Sequence, residues 1–165
     1  MQQKITTFLW FDKQSEEAMN YYVEVFKGSP KKDADDSEVI HINRYPGGYT
    51  EGPMADMEGK VLTGIFKLAG QKFMCLDGGP IFKFTEAVSL YVECADQEEI
   101  DYFWEKLSAD PTSGQCGWTK DKFGLSWQLI PKNMDELIGK SKAAMEAMLK
   151  MKKINIAELE AAGSK

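Results

Sequence analysis

Apolar residues recur along this chain with two spacings, one typical of strands and one typical of helices. Residues 5–11 are apolar at most positions, which predicts a strand buried on both faces. The segment 16–27 instead has apolar residues every three or four positions, namely Ala18, Met19, Tyr22, Val23 and Phe26. That spacing predicts an amphipathic helix, which we expect to end at Gly28.

The rest of the chain divides in the same way. Residues 61–68 and 71–76 predict two strands, and the short loop Ala69-Gly70 predicts that they form an antiparallel hairpin. Residues 46–59 contain two prolines and four glycines, which favours an excursion or lid. Further strands are predicted at 38–45, 88–94, 117–119 and 125–130, and further helices at 97–108, 134–138, 142–151 and 156–162.

The chain also repeats itself. Residues 21–26 and 102–107 match in residue class at five of six positions, and each segment follows an apolar strand and precedes a strand that begins with glycine. Two short units of one design usually pair, because neither alone buries enough apolar surface to offset its loss of conformational entropy. We therefore expect a single domain, 1–165, with modules at 4–77 and 85–131 and a helical extension at 134–162.

Composition narrows the possible functions. Of the 165 residues 43% are apolar, and the net charge of −6 argues against nucleic acid as a partner. Three cysteines cannot all pair, and no basic segment followed by an apolar core stands at the N-terminus, so we expect a cytoplasmic, reduced protein. No apolar run approaches the roughly 18 residues that a membrane span needs.

Several motifs resemble one family. The matching segments are 4–12 (KITTFLWFD), 17–22 (EAMNYY), 73–80 (FMCLDGGP), 115–118 (QCGW), 121–128 (DKFGLSWQ) and 151–154 (MKKI). The chain resembles the PhnB-like branch of the vicinal oxygen chelate superfamily, also called the glyoxalase/bleomycin resistance/dioxygenase fold, which includes proteins labelled 3-demethylubiquinone-9 3-methyltransferase. The resemblance implies an α+β fold of two paired βαβββ modules, an eight-stranded half-open barrel with C-terminal helices, and commonly a homodimer.

Enzymes of this superfamily hold a divalent ion with side chains from the first and last strand of each module. By the resemblance, those positions fall near Thr7, at Met74, near Leu90 and at Gln128. A threonine, a methionine, a leucine and one glutamine make a poor site for a hard or borderline ion. The lone histidine, His41, belongs to a different strand. The resemblance and these residues together predict a protein without a metal or another cofactor.

The leading hypothesis is therefore a small-molecule-binding protein whose ligand is unknown. The candidate ligand-binding residues are Thr7, Leu9, Met74, Leu90, Trp118 and Gln128. If Gln128 points into a cavity, strand alternation places Ser126 and Ile130 on its face and Trp127 on the helix side. By the same rule, Met74 brings Lys72 and Leu76 inward, and Thr7 brings Leu9 and Phe11. Tyr91 and Trp118 could stack on a flat ligand.

Two alternatives stay open. One is an enzyme of the superfamily that uses a metal held by an incomplete ligand set including Gln128. The other is the methyltransferase of the family label, although neither Gly78-Gly79-Pro80 nor Gly47-Gly48 precedes a helix as a cofactor-binding loop would. We also expect a homodimer, because a half-open barrel leaves strand edges to be covered, and the methionine-rich segment 142–151 is a candidate cover.

Overall fold

The computed structural model describes residues 3–139 and 141–164. It has the mixed α+β architecture that was predicted, and the chain divides between Lys83 and Phe84 into two compact units. Among the described residues, no helix is both long enough and apolar enough to cross a membrane. Each unit is built on one sheet, with four strands in the first and three in the second.

The first unit contains four strands and one long helix. Its elements are β1 (Thr7–Phe11), α1 (Ser15–Lys27), a turn of 3-10 helix (Lys32–Ala34), β2 (Glu38–Arg44), β3 (Val61–Leu68) and β4 (Gln71–Asp77). The strand order is β1-β4-β3-β2, in which β1 and β4 run parallel and the other neighbours run antiparallel. Helix α1 begins at Ser15, one residue before the predicted segment 16–27, and ends at Lys27 as predicted.

Helix α1 packs on one face of this sheet. Tyr22 stacks on Phe66 with ring centroids 6.4 Å apart, and Phe66 stacks on Phe73 at 5.4 Å. Gly64 permits the close approach of the helix, since a Cβ at that position would lie 2.5 Å from the Met19 sulfur. The apolar core of this unit therefore lies between α1 and the sheet.

A buried carboxylate fixes where two elements of the first unit begin. Asp77, at the end of β4, accepts hydrogen bonds from the Ser15 backbone N–H at 2.9 Å and from the Val61 backbone N–H at 3.0 Å. Both oxygens are thus engaged, which offsets the cost of burying the charge. Asp77 joins the start of α1 and the start of β3 to the same strand end.

The second unit repeats this plan with one strand fewer. Its elements are β5 (Ser89–Cys94), α2 (Gln97–Leu107), β6 (Trp118–Lys120), β7 (Ser126–Pro131), α3 (Met134–Gly139), α4 (Lys142–Met148) and α5 (Ile156–Gly163). The strand order is β5-β7-β6, with β5 and β7 parallel, which reproduces the order β1-β4-β3 of the first unit. The repeat inferred from the sequence is visible in this shared topology.

The described residues therefore contain seven strands, whereas the resemblance implied eight. The strand without a counterpart is the equivalent of β2, which would fall between α2 and β6. That segment contains Pro111, whose carbonyl accepts from Trp104 Nε1, and Gly114, whose φ is +91°. A proline cannot donate to a ladder, and a left-handed residue interrupts an extended strand, so this segment forms turns.

The C-terminal helices belong to the second unit. The segment before α5 is tied to α2, because Gln97 Nε2 donates to the Ile154 carbonyl at 3.0 Å and the Ile156 N–H donates to Gln97 Oε1 at 2.9 Å. Ile154 and Leu159 are fully buried. The helical extension is therefore part of the core of this unit.

Candidate functional site

The register of the second sheet places three side chains in a row on the face opposite α2. Gln128 on the central strand β7 lies opposite Tyr91 on β5 and opposite Trp118 on β6. Directly opposed residues project to the same side of a sheet, and neighbouring strands lie about 4.8 Å apart. An amide is thus flanked by an aromatic ring on each side.

Gln128 is held in place by one hydrogen bond. Its Nε2 donates to Ser89 Oγ at 2.8 Å, and the side chain is half-buried. Gln128 Oε1 receives no hydrogen bond from a described residue. The amide is therefore oriented by Ser89, while its acceptor remains able to take a donor from a ligand.

A second row runs beside the first. Ser126 on β7 lies opposite Ser89 on β5 and opposite Lys120 on β6. Only 1% of Ser126 is exposed, and its hydroxyl oxygen has no hydrogen-bond partner among the described residues. Lys120 forms an ion pair with Glu86. We call the surface formed by Ser89, Tyr91, Trp118, Lys120, Ser126 and Gln128 the Gln128 face.

The electrostatic environment of this face is slightly negative at one edge. Tyr91 is 53% exposed, and its pKa is raised, first by partial burial and then by the nearby charges of Glu93 and Asp135. The phenol therefore stays protonated and neutral, and it can serve as a hydrogen-bond donor or as a ring surface.

Leu90 does not lie on the Gln128 face. It is opposite Trp127, on the side of the sheet that α2 covers. Trp127 is buried there and donates from Nε1 to Asp121 Oδ2 at 2.8 Å, as expected for a residue on the helix side. The expectation that Leu90 and Gln128 line one surface is wrong; Tyr91 occupies that place, because moving by one residue along a strand reverses the face.

In the first unit, too, the side chains of the first strand project to the face opposite to the one expected. Met74 lies opposite Phe8 on β1 and Ile65 on β3, on the face away from α1. Thr7 and Leu9 project to the α1 side, where Leu9 pairs with the fully buried Cys75. The expectation that Thr7 and Leu9 share a face with Met74 is therefore wrong, although Lys72 and Leu76 do share it by alternation.

These placements allow the metal hypothesis to be tested on donor chemistry. Of the four positions that the resemblance identified, Thr7 and Leu90 lie on the helix side of their sheets, and Met74 and Gln128 lie on the opposite sides. The sequence neighbours of Thr7 and Leu90 that lie on the faces away from the helices are Phe8 and Tyr91. Across residues 3–139 and 141–164, no group of three or more His, Cys, Asp or Glu side chains could hold an ion. Neither face fits a hard or borderline cation, since the first unit offers a thioether and a phenyl ring and the second an amide and a phenol.

The glycine pair after β4 has a packing role. A Cβ on Gly78 would lie 2.1 Å from the Trp10 ring, and Gly79 has a φ of +81°. Trp10 Nε1 donates to the Gly79 carbonyl at 2.9 Å. The residues that follow form no helix before α2, so this turn lacks the helix N-terminus of a cofactor-binding glycine loop.

Sequence reasoning missed Phe8 and Ser89 as members of the two open faces. The signal that would have found them is the parallel pairing of the first and last strand of each unit, because it fixes which residue of the first strand opposes Met74 or Gln128. Residues 5–11 are apolar at most positions, so the sequence pattern alone did not distinguish the two faces of that strand.

The fold and the sequence motifs together define the class of this protein. The class is that of PhnB-like α+β proteins, as the sequence motifs predicted. The family model described as 3-demethylubiquinone-9 3-methyltransferase matches residues 3–130, and the chain belongs to this family.

The chain is similar to several solved structures. A Bacillus cereus protein described as a putative 3-demethylubiquinone-9 3-methyltransferase, PhnB protein, is 40% identical, with a TM-score of 0.60 over 78% of this chain and 99% of that one. A Staphylococcus aureus protein is 31% identical over 80% of this chain and 100% of its own, with a TM-score of 0.34. A Pseudomonas aeruginosa protein, 17% identical over 76% of this chain and 95% of its own, has a TM-score of 0.53 and shares the fold. No curated protein matches the chain.

Proposed function

We propose that this protein binds a small organic molecule on the Gln128 face and does so without a metal ion. The observation that carries the proposal is the half-buried Gln128 amide, oriented by Ser89 at 2.8 Å, with its Oε1 open to a ligand. Small-molecule sites typically combine apolar and aromatic walls with a few oriented polar groups. Tyr91 and Trp118 supply the walls, and Gln128 supplies the oriented group.

The first unit has a separate apolar surface around Met74. On the face away from α1 it lies among Phe8, Ile65 and Leu76, which are partly exposed. Methionine adapts its shape to irregular partners, so this face by itself suits contact with an apolar molecule. Thr7, Leu9 and Leu90 act, in this proposal, only through the packing that supports the two sheets.

A thermal-shift screen of metabolite-like compounds tests the proposal, because a compound that binds only the native state raises the unfolding midpoint. Compounds that stabilise the parent protein should stabilise Gln128→Leu much less. A matched control is Gln71→Leu, which removes an exposed glutamine from the start of β4. If every stabilising compound acts equally on Gln128→Leu, the Gln128 face is not the binding site.

Two measurements address the alternatives. Metal analysis of the purified protein should show no stoichiometric Zn, Ni, Mn or Fe; a stoichiometric metal would favour the metal-dependent enzyme and end the metal-free proposal. Titration with S-adenosylmethionine in a calorimeter tests the methyltransferase that the family name suggests. Saturable binding at one equivalent would keep the methyltransferase as a candidate, and the absence of binding would remove it.

We further propose a cytoplasmic homodimer. Strands β1 and β2 are the edges of the first sheet, and β5 and β6 are the edges of the second. Met145 and Leu149, one turn apart at the end of α4, are 38% and 52% exposed. Sedimentation at micromolar concentration should give twice the chain mass for the parent protein and a larger monomer fraction for the Met145→Glu variant. A parent protein that sediments as a monomer would contradict the dimer.

A further inference from the structure

The Ser126 hydroxyl in the second sheet has no structural role that the fold explains. It is buried, and no described residue forms a hydrogen bond with its oxygen. Burying a hydroxyl without a partner costs free energy, whereas alanine would fill nearly the same space without that cost. Packing therefore gives no reason for a serine at this position.

Binding of a ligand explains why a serine, Ser126, stands at this position. Ser126 and Gln128 are two residues apart on β7, so they project to the same face with Cα atoms about 6.6 Å apart. The Ser126 hydroxyl can donate a hydrogen bond, and Gln128 Oε1 can accept one, since Gln128 Nε2 already donates to Ser89. Together they form an adjacent donor and acceptor, which complement an acceptor and a donor on one edge of a ligand.

The neighbouring residues limit the shape and charge of that ligand. Tyr91 and Trp118 stand on either side of Gln128 in the register, which favours a planar ring between them. The charge of Lys120 is balanced by Glu86, and Glu93 projects from β5 on the same side as Tyr91. This arrangement offers no net positive charge to an anionic group, so a neutral ligand fits better.

We infer that the ligand is a neutral planar ring that carries an N–H or O–H donor next to a carbonyl, and that Ser126 binds the carbonyl while Gln128 binds the donor. This inference rests on the proposed binding function of the Gln128 face. The Ser126 oxygen is covered in the free protein, so the ligand must displace a neighbouring side chain to reach it. Lys120, the neighbour of Ser126 in register, is half-exposed and paired at the surface, where such movement costs little.

A matched set of probes tests the ligand class. Carbostyril is a planar lactam with an N–H beside its carbonyl; N-methylcarbostyril lacks the donor, and its O-methyl ether isomer, methoxyquinoline, lacks both the N–H and the carbonyl. Binding is measured by NMR through the Trp118 indole N–H and the Gln128 side-chain amide signals. We expect carbostyril to bind at least about tenfold more tightly than either methylated probe, as the loss of one buried hydrogen bond predicts.

The Ser126→Ala variant tests the role of the hydroxyl, with Ser15→Ala as its control. Ser15 is also fully buried, and its hydroxyl oxygen has no oxygen or nitrogen partner among the described residues, although it forms a hydrogen bond with the Cys75 thiol; it lies at the start of α1 in the first unit. We expect Ser126→Ala to unfold at a temperature equal to or above that of the parent, and Ser15→Ala to keep the native fold. Only Ser126→Ala should weaken carbostyril binding, by roughly tenfold.

The outcomes separate the inference from the proposed function. If all three probes shift the Trp118 and Gln128 signals with equal affinity, the face binds ligands but the inferred ligand class is wrong. If no probe shifts these signals, the inferred ligand class is wrong, and the thermal-shift comparison of the parent with Gln128→Leu decides separately whether the face is a binding site. If Ser126→Ala binds carbostyril as tightly as the parent, or unfolds because it needs the hydroxyl, Ser126 has a structural role and the inference fails.

Discussion

Gln128 Nε2 lies 2.8 Å from Ser89 Oγ, and this hydrogen bond joins the central strand of the second sheet to its first strand. Because the bond orients the amide, Gln128→Leu should weaken the affinity for a ligand found by the thermal-shift screen. We expect a loss of roughly 1 to 3 kcal/mol, the cost of leaving a buried polar atom of the ligand unpaired. Isothermal titration calorimetry measures this loss, and circular dichroism should show an unchanged fold.

Ser89→Ala is the variant to compare with Gln128→Leu. It removes the bond that orients Gln128 but keeps the amide, so it should weaken binding less than Gln128→Leu does. If Gln128→Leu binds the ligand as tightly as the parent, Gln128 has no role in the site.

Giving Gln128 a negative charge tests separately whether the Gln128 face can bind a metal ion. Gln128→Glu introduces a carboxylate, which is a better ligand for divalent ions than an amide. We expect no tight metal binding, because Tyr91, Trp118 and Ser89 around it do not supply the two or more further donors that an ion needs. Dialysis against Zn²⁺ or Mn²⁺ followed by metal analysis should find less than one equivalent, and a full equivalent would contradict this view of the site.

The repeat of the sequence predicted much of the fold. The helices predicted at 16–27 and 97–108 are confirmed as Ser15–Lys27 and Gln97–Leu107, and the hairpin of β3 and β4 is confirmed as well. These elements could be predicted because their signals are local: an apolar residue every three or four positions, acidic residues in the first turn, and a short loop between apolar runs.

The sequence did not predict correctly to which face of the sheet the side chains of β1 and β5 project. Thr7 and Leu9 were placed with Met74, and Leu90 with Gln128, but the parallel register reverses both assignments. A parallel partner is distant in the sequence, and a strand that is apolar on both sides carries no alternation to correct the error. The pairing of Gln128 with Ser89 was missed for the same reason.

The hairpin turn between β3 and β4 offers a stability prediction. Ala69 has a φ of +46° and Gly70 a φ of +77°, so both central residues are in the left-handed region. Asparagine tolerates this conformation better than alanine does. Ala69→Asn should raise the free energy of unfolding by up to about 1 kcal/mol, whereas Gly70→Ala should lower it by about 1 kcal/mol or more. Urea denaturation measures both, and a less stable Ala69→Asn would contradict the turn geometry.

The three cysteines should differ sharply in reactivity. Burial is the largest factor that raises the pKa of Cys75 and that of Cys94 to about 12, with nearby Asp77 and Glu99 adding to the effect. Cys116 is partly exposed. Since the thiolate is the nucleophile, iodoacetamide at about pH 8 should modify Cys116 alone in the native protein. Intact-mass analysis should show one adduct under native conditions and three in guanidinium; fast modification of Cys75 would contradict its burial.

The ion pair between α1 and β2 predicts a response to acid. Arg44 contacts Glu16 through two hydrogen bonds of 2.8 and 2.7 Å, and these bonds are the largest factor that holds the pKa of Glu16 below its usual 4.5. A carboxyl with a depressed pKa stabilises the fold above its unfolded value, and that contribution is lost as the pH falls through the folded value. Arg44→Gln should therefore fall further below the parent in stability at pH 7 than in strong acid, where only the hydrogen bond from Arg44 Nη1 to the Gly59 carbonyl is lost. Both side chains are nearly half exposed, so the difference in stability should also shrink in about 1 M salt.

Urea denaturation at a series of pH values checks this prediction, with Glu16→Gln as the matched control. If the difference in stability between Arg44→Gln and the parent is the same at every pH, the ion pair does not supply it.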